Sequence, residues 1–177
     1  MTKKVFLVAF LLSVVNFAAA QKFGYVNTEY ILNKMPEYKA AQEEINKLSL
    51  EWQEEIQGKY KEIQAMHDAL VAEQVLLTKE MFDERMLEIR GKEQETKEYQ
   101  KKVFGFEGLF FLKKKELIKP VQDLVFEAVE KVAKNNRLQI VFDKSGDLVM
   151  IYTDPIHDYT DFVLEELGLG DENDVIK

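Results

Sequence analysis

The chain has no cysteine, and its 177 residues include only three prolines and eight glycines. Without cysteine it can form no disulfide, carry no thiol nucleophile and bear no lipid anchor of the lipoprotein kind. Between Glu37 and Asn135 there are almost no clusters of the residues that favour turns, such as glycine and proline. These absences exclude a disulfide-stabilised fold and favour long helices.

Positive charge is also scarce, because 24 basic residues stand against 32 acidic ones. Once Lys3 and Lys4 are removed with the leader described below, 22 basic residues remain and the net charge is −10. Residues 143–177 hold ten acidic and two basic side chains, so most of the negative charge is C-terminal. Nucleic-acid binding needs a basic face, and we therefore expect no DNA or RNA partner.

The first twenty residues predict a secretory signal peptide. Lys3 and Lys4 precede a short apolar run, and three alanines at 18–20 supply the small residues that signal peptidase requires. We place cleavage after Ala20. The alternative, a membrane anchor, is disfavoured because the run is shorter than the roughly 20 residues that span a bilayer. The mature protein should therefore be exported and soluble.

Apolar residues recur every three or four positions in the long stretch that follows. The first half of this stripe comprises Ile45, Leu48, Trp52, Ile56, Tyr60, Ile63, Met66 and Leu70. The mean step lies close to the ~3.6-residue helical repeat, which predicts an amphipathic or loosely supercoiled helix. Such a chain acts through surface and shape, and we do not expect an enzyme.

Thr78 predicts a reversal within this helical stretch. Its hydroxyl can accept a hydrogen bond from a free amide of a new helix, and acidic residues such as Glu80 are favoured near that positive end. A second apolar stripe then runs from Phe82 to Val132 and is sparse between Ile89 and Tyr99. We expect an antiparallel coiled-coil hairpin with a weakly packed middle. A single unbroken helix is the alternative, since no Gly or Pro marks the turn.

Strand-like alternation flanks the helical stretch. Residues 22–27, 138–142 and 148–152 read as strands, the last two joined by a turn at 143–147, and residues 158–167 form a last helix stopped by Gly168. Three strands cannot bury a core alone, which predicts an oligomer.

The predicted fold class is therefore α+β and mostly α. A long helical hairpin arm, residues 37–135, projects from a small antiparallel β body formed by residues 21–36 and 136–168. Residues 169–177 are expected to be a flexible acidic tail.

This order of elements resembles the Skp/OmpH family of periplasmic chaperones. The resemblance covers residues 21–168 and rests on a strand with Gly-Tyr-Val-Asn at 24–27, the long charged hairpin, Leu-Gln-Ile-Val-Phe-Asp at 138–143 and the closing Thr-Asp-Phe-Val-Leu-Glu-Glu-Leu at 160–167. It implies a homotrimer with three helical arms around a cavity for unfolded outer-membrane proteins, located in the periplasm and working without ATP or any other cofactor.

One departure from that family concerns charge. Its best-known members are basic, whereas this chain has near-neutral arms and an acidic C-terminal segment. No lipopolysaccharide site is carried over, and membrane contact should be at most peripheral. Apolar capture of clients should matter more than electrostatic capture.

Two sets of residues are candidates for these roles. The client-facing candidates are Leu76, Leu77, Met81, Phe82, Phe104, Phe106, Phe110 and Phe111. The first four crowd the presumed tip of the hairpin, where no facing helix is expected to cover them. The four phenylalanines surround Gly105 and Gly108, a predicted kink, and either pack the hairpin near the body or line the cavity. The candidates for the trimer body are Val26, Ile140, Phe142, Val149 and Ile151.

Other polar groups carry no convincing site. His67 and His157 lack ligand spacing, and the calcium-loop-like start at Asp143 lacks the glutamate expected at position twelve. The three lysines at 113–115 could meet lipid phosphate but are typical of a solvated helix face. We therefore predict no catalytic, cofactor or metal site. The competing hypothesis is a structural coiled-coil envelope protein, a spacer or stalk, which would need a well-filled seam.

Overall fold

The computed structural model describes residues 22–146 and 150–170. The predicted signal peptide with its cleavage point, Val149 and residues 171–177 of the predicted tail lie outside them. Two compact units are found. One joins residues up to Lys34 with those from Leu124 onward and is called the strand unit; the other, residues 35–123, is called the hairpin unit.

The elements of the described residues follow in the order β1 (Phe23–Val26), α1 (Thr28–Lys34), α2 (Pro36–Glu73), α3 (Lys79–Phe104), α4 (Leu109–Asn136), β2 (Ile140–Asp143) and α5 (Thr160–Glu166). Two 3-10 turns, Gln74–Leu76 and Pro155–His157, complete them. The chain is thus mostly helical with a small sheet, which confirms the predicted fold class at that level.

The two strands pair in parallel, which corrects the expectation of an antiparallel body. Phe23 lies opposite Ile140 and Val26 opposite Asp143. A parallel pair requires a long crossover connection, and the three long helices between β1 and β2 provide it. The alternating pattern of a strand does not specify the direction of its partner.

The predicted third strand is wrong for the part that is described. Met150, Ile151 and Tyr152 form no strand, while Leu148 and Val149 lie outside the described residues. The turn after β2 bonds to α1 instead, since the Asp143 carboxylate accepts from the backbone N–H of Thr28. The segment from Asp158 then returns beside β1, where the Tyr159 N–H donates to the Tyr25 carbonyl over 2.9 Å.

The last helix confirms the prediction for the C-terminal end. It begins at Thr160, whose Oγ1 accepts a hydrogen bond from the backbone N–H of Asn27 over 3.0 Å. It ends before Gly168, which has φ +72°, a left-handed conformation that glycine adopts without a Cβ clash. The strand unit thereby gains a buried core that includes Val26, Ile31 and Val163.

Helices α2 and α3 form the predicted antiparallel hairpin, and the single unbroken helix is wrong. Buried side chains recur at every seventh residue on both helices: Ile56, Ile63 and Leu70 on α2, then Ile89, Thr96 and Val103 on α3. This is the heptad repeat of a coiled coil. Ile63, Leu70 and Ile89 pack as one cluster. A second cluster in the hairpin unit joins Ala41 and Ile45 of α2 to Ile118 of α4.

Candidate functional site

The turn between α2 and α3 is built without glycine or proline. After Glu73 the chain makes one 3-10 turn, and Leu77 is extended before α3 begins. The Thr78 hydroxyl accepts a hydrogen bond from the Met81 N–H over 3.3 Å, which confirms the predicted helix cap. The reversal therefore depends on one short turn and one cap.

Exposed apolar side chains surround this turn. Val71, Val75, Leu76 and Met81 are 70, 91, 81 and 47% exposed, and we name these four residues the tip surface. Val71 and Val75 were not among the candidates from the sequence, because they continue the helical stripe and their exposure depends on where α3 begins. A run of apolar residues directly before a capping threonine, at 75–77, was the signal that could have identified Val75.

Leu77 and Phe82, the other two tip candidates, have a different environment. Both are half-buried and pack against the cluster of Ile63, Leu70 and Ile89. A facing helix therefore does cover them. Leu77 and Phe82 stabilise the turn, whereas Leu76 and Met81 remain accessible to a partner.

Polar side chains link α2 and α3 through the middle of the hairpin. Tyr60 Oη donates to Gln100 Oε1 over 3.1 Å, and Tyr99 Oη donates to Glu55 Oε2 over 2.6 Å. The hydrogen bond to Glu55 raises the pKa of the Tyr99 hydroxyl above its ordinary value. These three-dimensional pairings were not recognised in the sequence, where each partner lies about forty residues from the other.

The middle of α3 buries little, as predicted. From residue 90 to residue 102 the buried side chain is Thr96, whose hydroxyl donates to the Lys92 carbonyl over 2.8 Å. Nearby, His67 Nε2 lies 3.0 Å from Glu93 Oε1, and this hydrogen bond lowers the pKa of the Glu93 carboxyl. Polar pairs replace apolar contacts here, so the two helices are joined mainly at their surfaces.

A full break between α3 and α4 replaces the predicted kink. A Cβ at Gly105 would overlap the Lys101 carbonyl oxygen, and one at Gly108 would lie 2.5 Å from the Val103 carbonyl oxygen. Glu107 between them has φ +51°. Because the backbone passes so close to the last turn of α3, only glycine fits these two positions without displacement.

The four phenylalanines around the break divide into two pairs. The ring centroid of Phe104 lies 6.4 Å from that of Trp52 and 5.8 Å from that of Phe110, so these rings pack together within the hairpin unit. Phe106 and Phe111 are 97 and 49% exposed. Packing therefore accounts for Phe104 and Phe110, as well as for Trp52, and leaves Phe106 and Phe111 accessible.

The candidates for the trimer body also have different environments. Val26 is buried inside its own unit, Phe142 is half-buried, and Ile140 and Ile151 are 50 and 99% exposed. Ile140 lies in register with Phe23, which is exposed to a similar degree. Beside them is a surface cavity of about 320 Å³ whose lining includes Phe23, Phe142, Met150 and Tyr152.

A cluster of polar side chains, Thr28, Asp143 and Ser145, stabilises the turn that follows β2. The Asp143 carboxylate accepts from the Thr28 hydroxyl over 2.5 Å and from the Ser145 hydroxyl over 2.7 Å. Burial alone would raise the pKa of Asp143, but these hydrogen bonds and those from the backbone of Ser145 and Thr28 outweigh it and lower the pKa. Asp143 and Ser145, the described part of the calcium-loop-like start, thus form a hydrogen-bonded turn.

Within residues 22–146 and 150–170, no group of three or more His, Asp or Glu side chains has metal-binding geometry. His157 lies against Phe23, with ring centroids 4.6 Å apart. No helix in that part of the chain has the length and hydrophobicity to cross a bilayer.

Comparison with known proteins agrees with this architecture. The family model described as Outer membrane protein (OmpH-like) matches residues 22–167. None of the curated proteins matches the chain. Among solved structures it is similar to a candidate outer membrane chaperone (OmpH-like) from Caulobacter crescentus CB15. The identity is 13% and the TM-score 0.69, over 84% of this chain and 85% of the other. At that identity the likeness shows a shared fold.

Proposed function

Because the chain belongs to the OmpH-like family of outer membrane proteins, as its sequence indicated, we propose that it is a chaperone without enzymatic activity. It binds unfolded outer-membrane proteins in a cavity between helical arms and prevents their aggregation without ATP. It acts in the periplasm after removal of its signal peptide.

The observation that carries this proposal is the tip surface. Val75 and Leu76 are almost fully exposed beside Val71 and Met81, and exposed apolar clusters commonly mark interaction sites. Fully burying one such side chain is worth roughly 1.5–3 kcal/mol, and the cost of ordering a client offsets part of that gain. The expected result is weak, reversible binding at several points, which suits a holding function.

The middle of the hairpin supports the same function. Thr96 occupies a heptad position between Ile89 and Val103, and polar pairs at the helix surfaces supplement it. A spacer or stalk would need a filled apolar seam at this point. A seam interrupted in this way favours arms that bend around clients of different size.

The strand unit supports assembly into a homotrimer. It contains two described strands of four residues each, which bury too little to complete a sheet-based core. Its exposed apolar and aromatic residues include Phe23, Leu124, Phe126, Ile140, Ile151, Tyr152 and Ile156. Contact with two further copies would cover them and place three hairpins around one cavity.

The test is a light-scattering assay of an unfolded outer-membrane protein with stoichiometric mature protein and no nucleotide. Aggregation should be suppressed. The double variant Val75→Ser, Leu76→Ser should bind the client about tenfold more weakly, since it removes roughly 1.5 kcal/mol of apolar contact.

The control is Leu50→Ser, because this leucine is also exposed and helical but belongs to the hairpin unit and lies away from the tip surface. It should bind like the unmodified protein. No suppression of aggregation by the unmodified protein would refute the proposed function. An equal loss in the control would show that the tip surface is not the binding site.

A further inference from the structure

The net charge of the hairpin is close to zero because it contains one acidic and one basic region, whose charges cancel. Residues 68–88, around the tip, hold six acidic and two basic side chains, a net charge of −4. Residues 101–119, around the break between α3 and α4, hold six basic and two acidic side chains, a net charge of +4. Since charges farther apart than about 10 Å are largely screened at physiological salt, a ligand at the tip experiences mainly the acidic group.

The acidic side chains at the tip are largely uncompensated. Arg85 is already engaged, because its Nη1 lies 2.8 Å from Glu73 Oε2. Among the residues that the structure describes, Asp83, Glu84 and Glu88 form no ion pair. Lys79 is the remaining base of this region.

Helix stability accounts for only part of this acidity. Of the acidic residues on α3, Glu80 alone lies in the first turn, where the helix dipole favours negative charge. Asp83, Glu84 and Glu88 follow beyond it, where that effect has declined. They are exposed, and all three follow Met81 of the tip surface within seven residues along α3.

We infer that the tip surface selects unfolded segments in which apolar residues are flanked by lysine or arginine and disfavours segments flanked by acidic residues. This inference rests on the proposed function and names the class of segment that the tip accepts. The apolar core of the segment covers the tip surface, while its cations meet the carboxylates of Asp83, Glu84 and Glu88. An anionic lipid surface would meet the same carboxylates and be repelled.

The test uses two labelled peptides with the same apolar centre, one flanked by three lysines and the other by three glutamates. Fluorescence titration of the full mature protein at low salt should show the lysine-flanked peptide binding at least fivefold more tightly. At roughly 0.5 M salt the difference should narrow, because the Debye length falls well below 10 Å. Equal binding of the two peptides at low salt would overturn the inference.

The variant Glu84→Lys, Glu88→Lys should abolish the preference or reverse it. Glu43→Lys, Glu44→Lys is the matched control, since it makes the same charge change at exposed positions of α2 away from the tip. Lysine and glutamate have similar helix propensities, so both variants should keep their helical circular dichroism. A preference that survives in the tip variant, or disappears in the control, would overturn the assignment to the tip.

The aggregation assay separates this inference from the proposed function. If the unmodified protein suppresses aggregation yet binds both peptides equally, charge selection at the tip is wrong and the holding function stands. If it neither suppresses aggregation nor binds either peptide, both are wrong.

Discussion

The strand unit and the hairpin unit obtain their stability in different ways. In the strand unit the most deeply buried residues, Val26, Ile31 and Val163, come from β1, α1 and α5 and are brought together from distant parts of the chain. In the hairpin unit, buried residues recur at every seventh position from Ile56 to Leu70 on α2 and from Ile89 to Val103 on α3, with Thr96 in the middle. The contacts of the strand unit fix one geometry. Those of the hairpin unit are made between neighbouring segments of two helices, so part of the hairpin can open or bend while the rest stays packed.

The polar groups of the two units also differ in their burial. Asp143 in the strand unit is partly buried and accepts hydrogen bonds from both Thr28 and Ser145. In the hairpin unit, the pairs His67–Glu93 and Arg85–Glu73 lie at the surface with side chains 35 and 45% exposed. Exposed pairs contribute little stability, so the hairpin can lose one of them without losing its fold. The difference agrees with the proposal that copies assemble through the strand unit and that the hairpin unit binds clients.

The largest expected effect tests the proposed association of copies through the strand unit. Ile140→Asp places a charge on the exposed face of β2, and in a trimer that face would be buried. We expect association to weaken about 100-fold, equivalent to roughly 3 kcal/mol for an unpaired charge at an interface. Sedimentation velocity measures the outcome. Leu87→Asp, at a 72% exposed site on α3, is the control and should leave assembly intact; dissociation in that variant instead would place the interface on the hairpin.

A smaller effect should appear within the hairpin unit, at its glycines. Gly108→Ala forces a methyl group against the Val103 carbonyl oxygen and should lower the free energy of unfolding by about 2 kcal/mol. Gly91→Ala is matched to it, since a Cβ there has open space, and should raise that free energy by about 1 kcal/mol. Thermal denaturation followed by circular dichroism compares the two. Stabilisation by Gly108→Ala would mean that the break is not required.

The smallest expected effect is a pH-dependent change in the free energy of unfolding, caused by Asp143 in the strand unit. The pKa of Asp143 is lower in the folded chain than its ordinary value near 4. Its contribution to stability is therefore present above about pH 4 and is lost as the pH falls through the lowered pKa. Asp143→Asn should cost about 1 kcal/mol at pH 7 and show a shallower loss of stability towards pH 2.

Denaturant titrations at several pH values measure this difference. The control is Asp123→Asn, which removes an exposed carboxylate paired with Lys119 and should change the free energy of unfolding little at any pH. Parallel curves for Asp143→Asn and the unmodified protein would show that Asp143 does not stabilise the turn after β2.

Local features of the chain were predictable because the physical cause lies within a few residues. Helical periodicity, the cap at Thr78 and the stop at Gly168 each depend on neighbouring residues, and all three agree with the structure. Family membership was also recognisable from the order of elements. The sparse middle of α3 was visible as an interruption of its apolar stripe.

Only the tertiary structure decided features that depend on distant parts of the chain. The parallel pairing of β1 with β2 joins strands separated by more than a hundred residues, and a four-residue strand carries no information on its partner's direction. Which tip residues are exposed depends on the facing helix, which covers Leu77 and Phe82 but leaves Val75 and Leu76 open. Sequence periodicity determines which face of a helix is apolar, whereas burial of that face depends on where the chain turns and what then lies opposite.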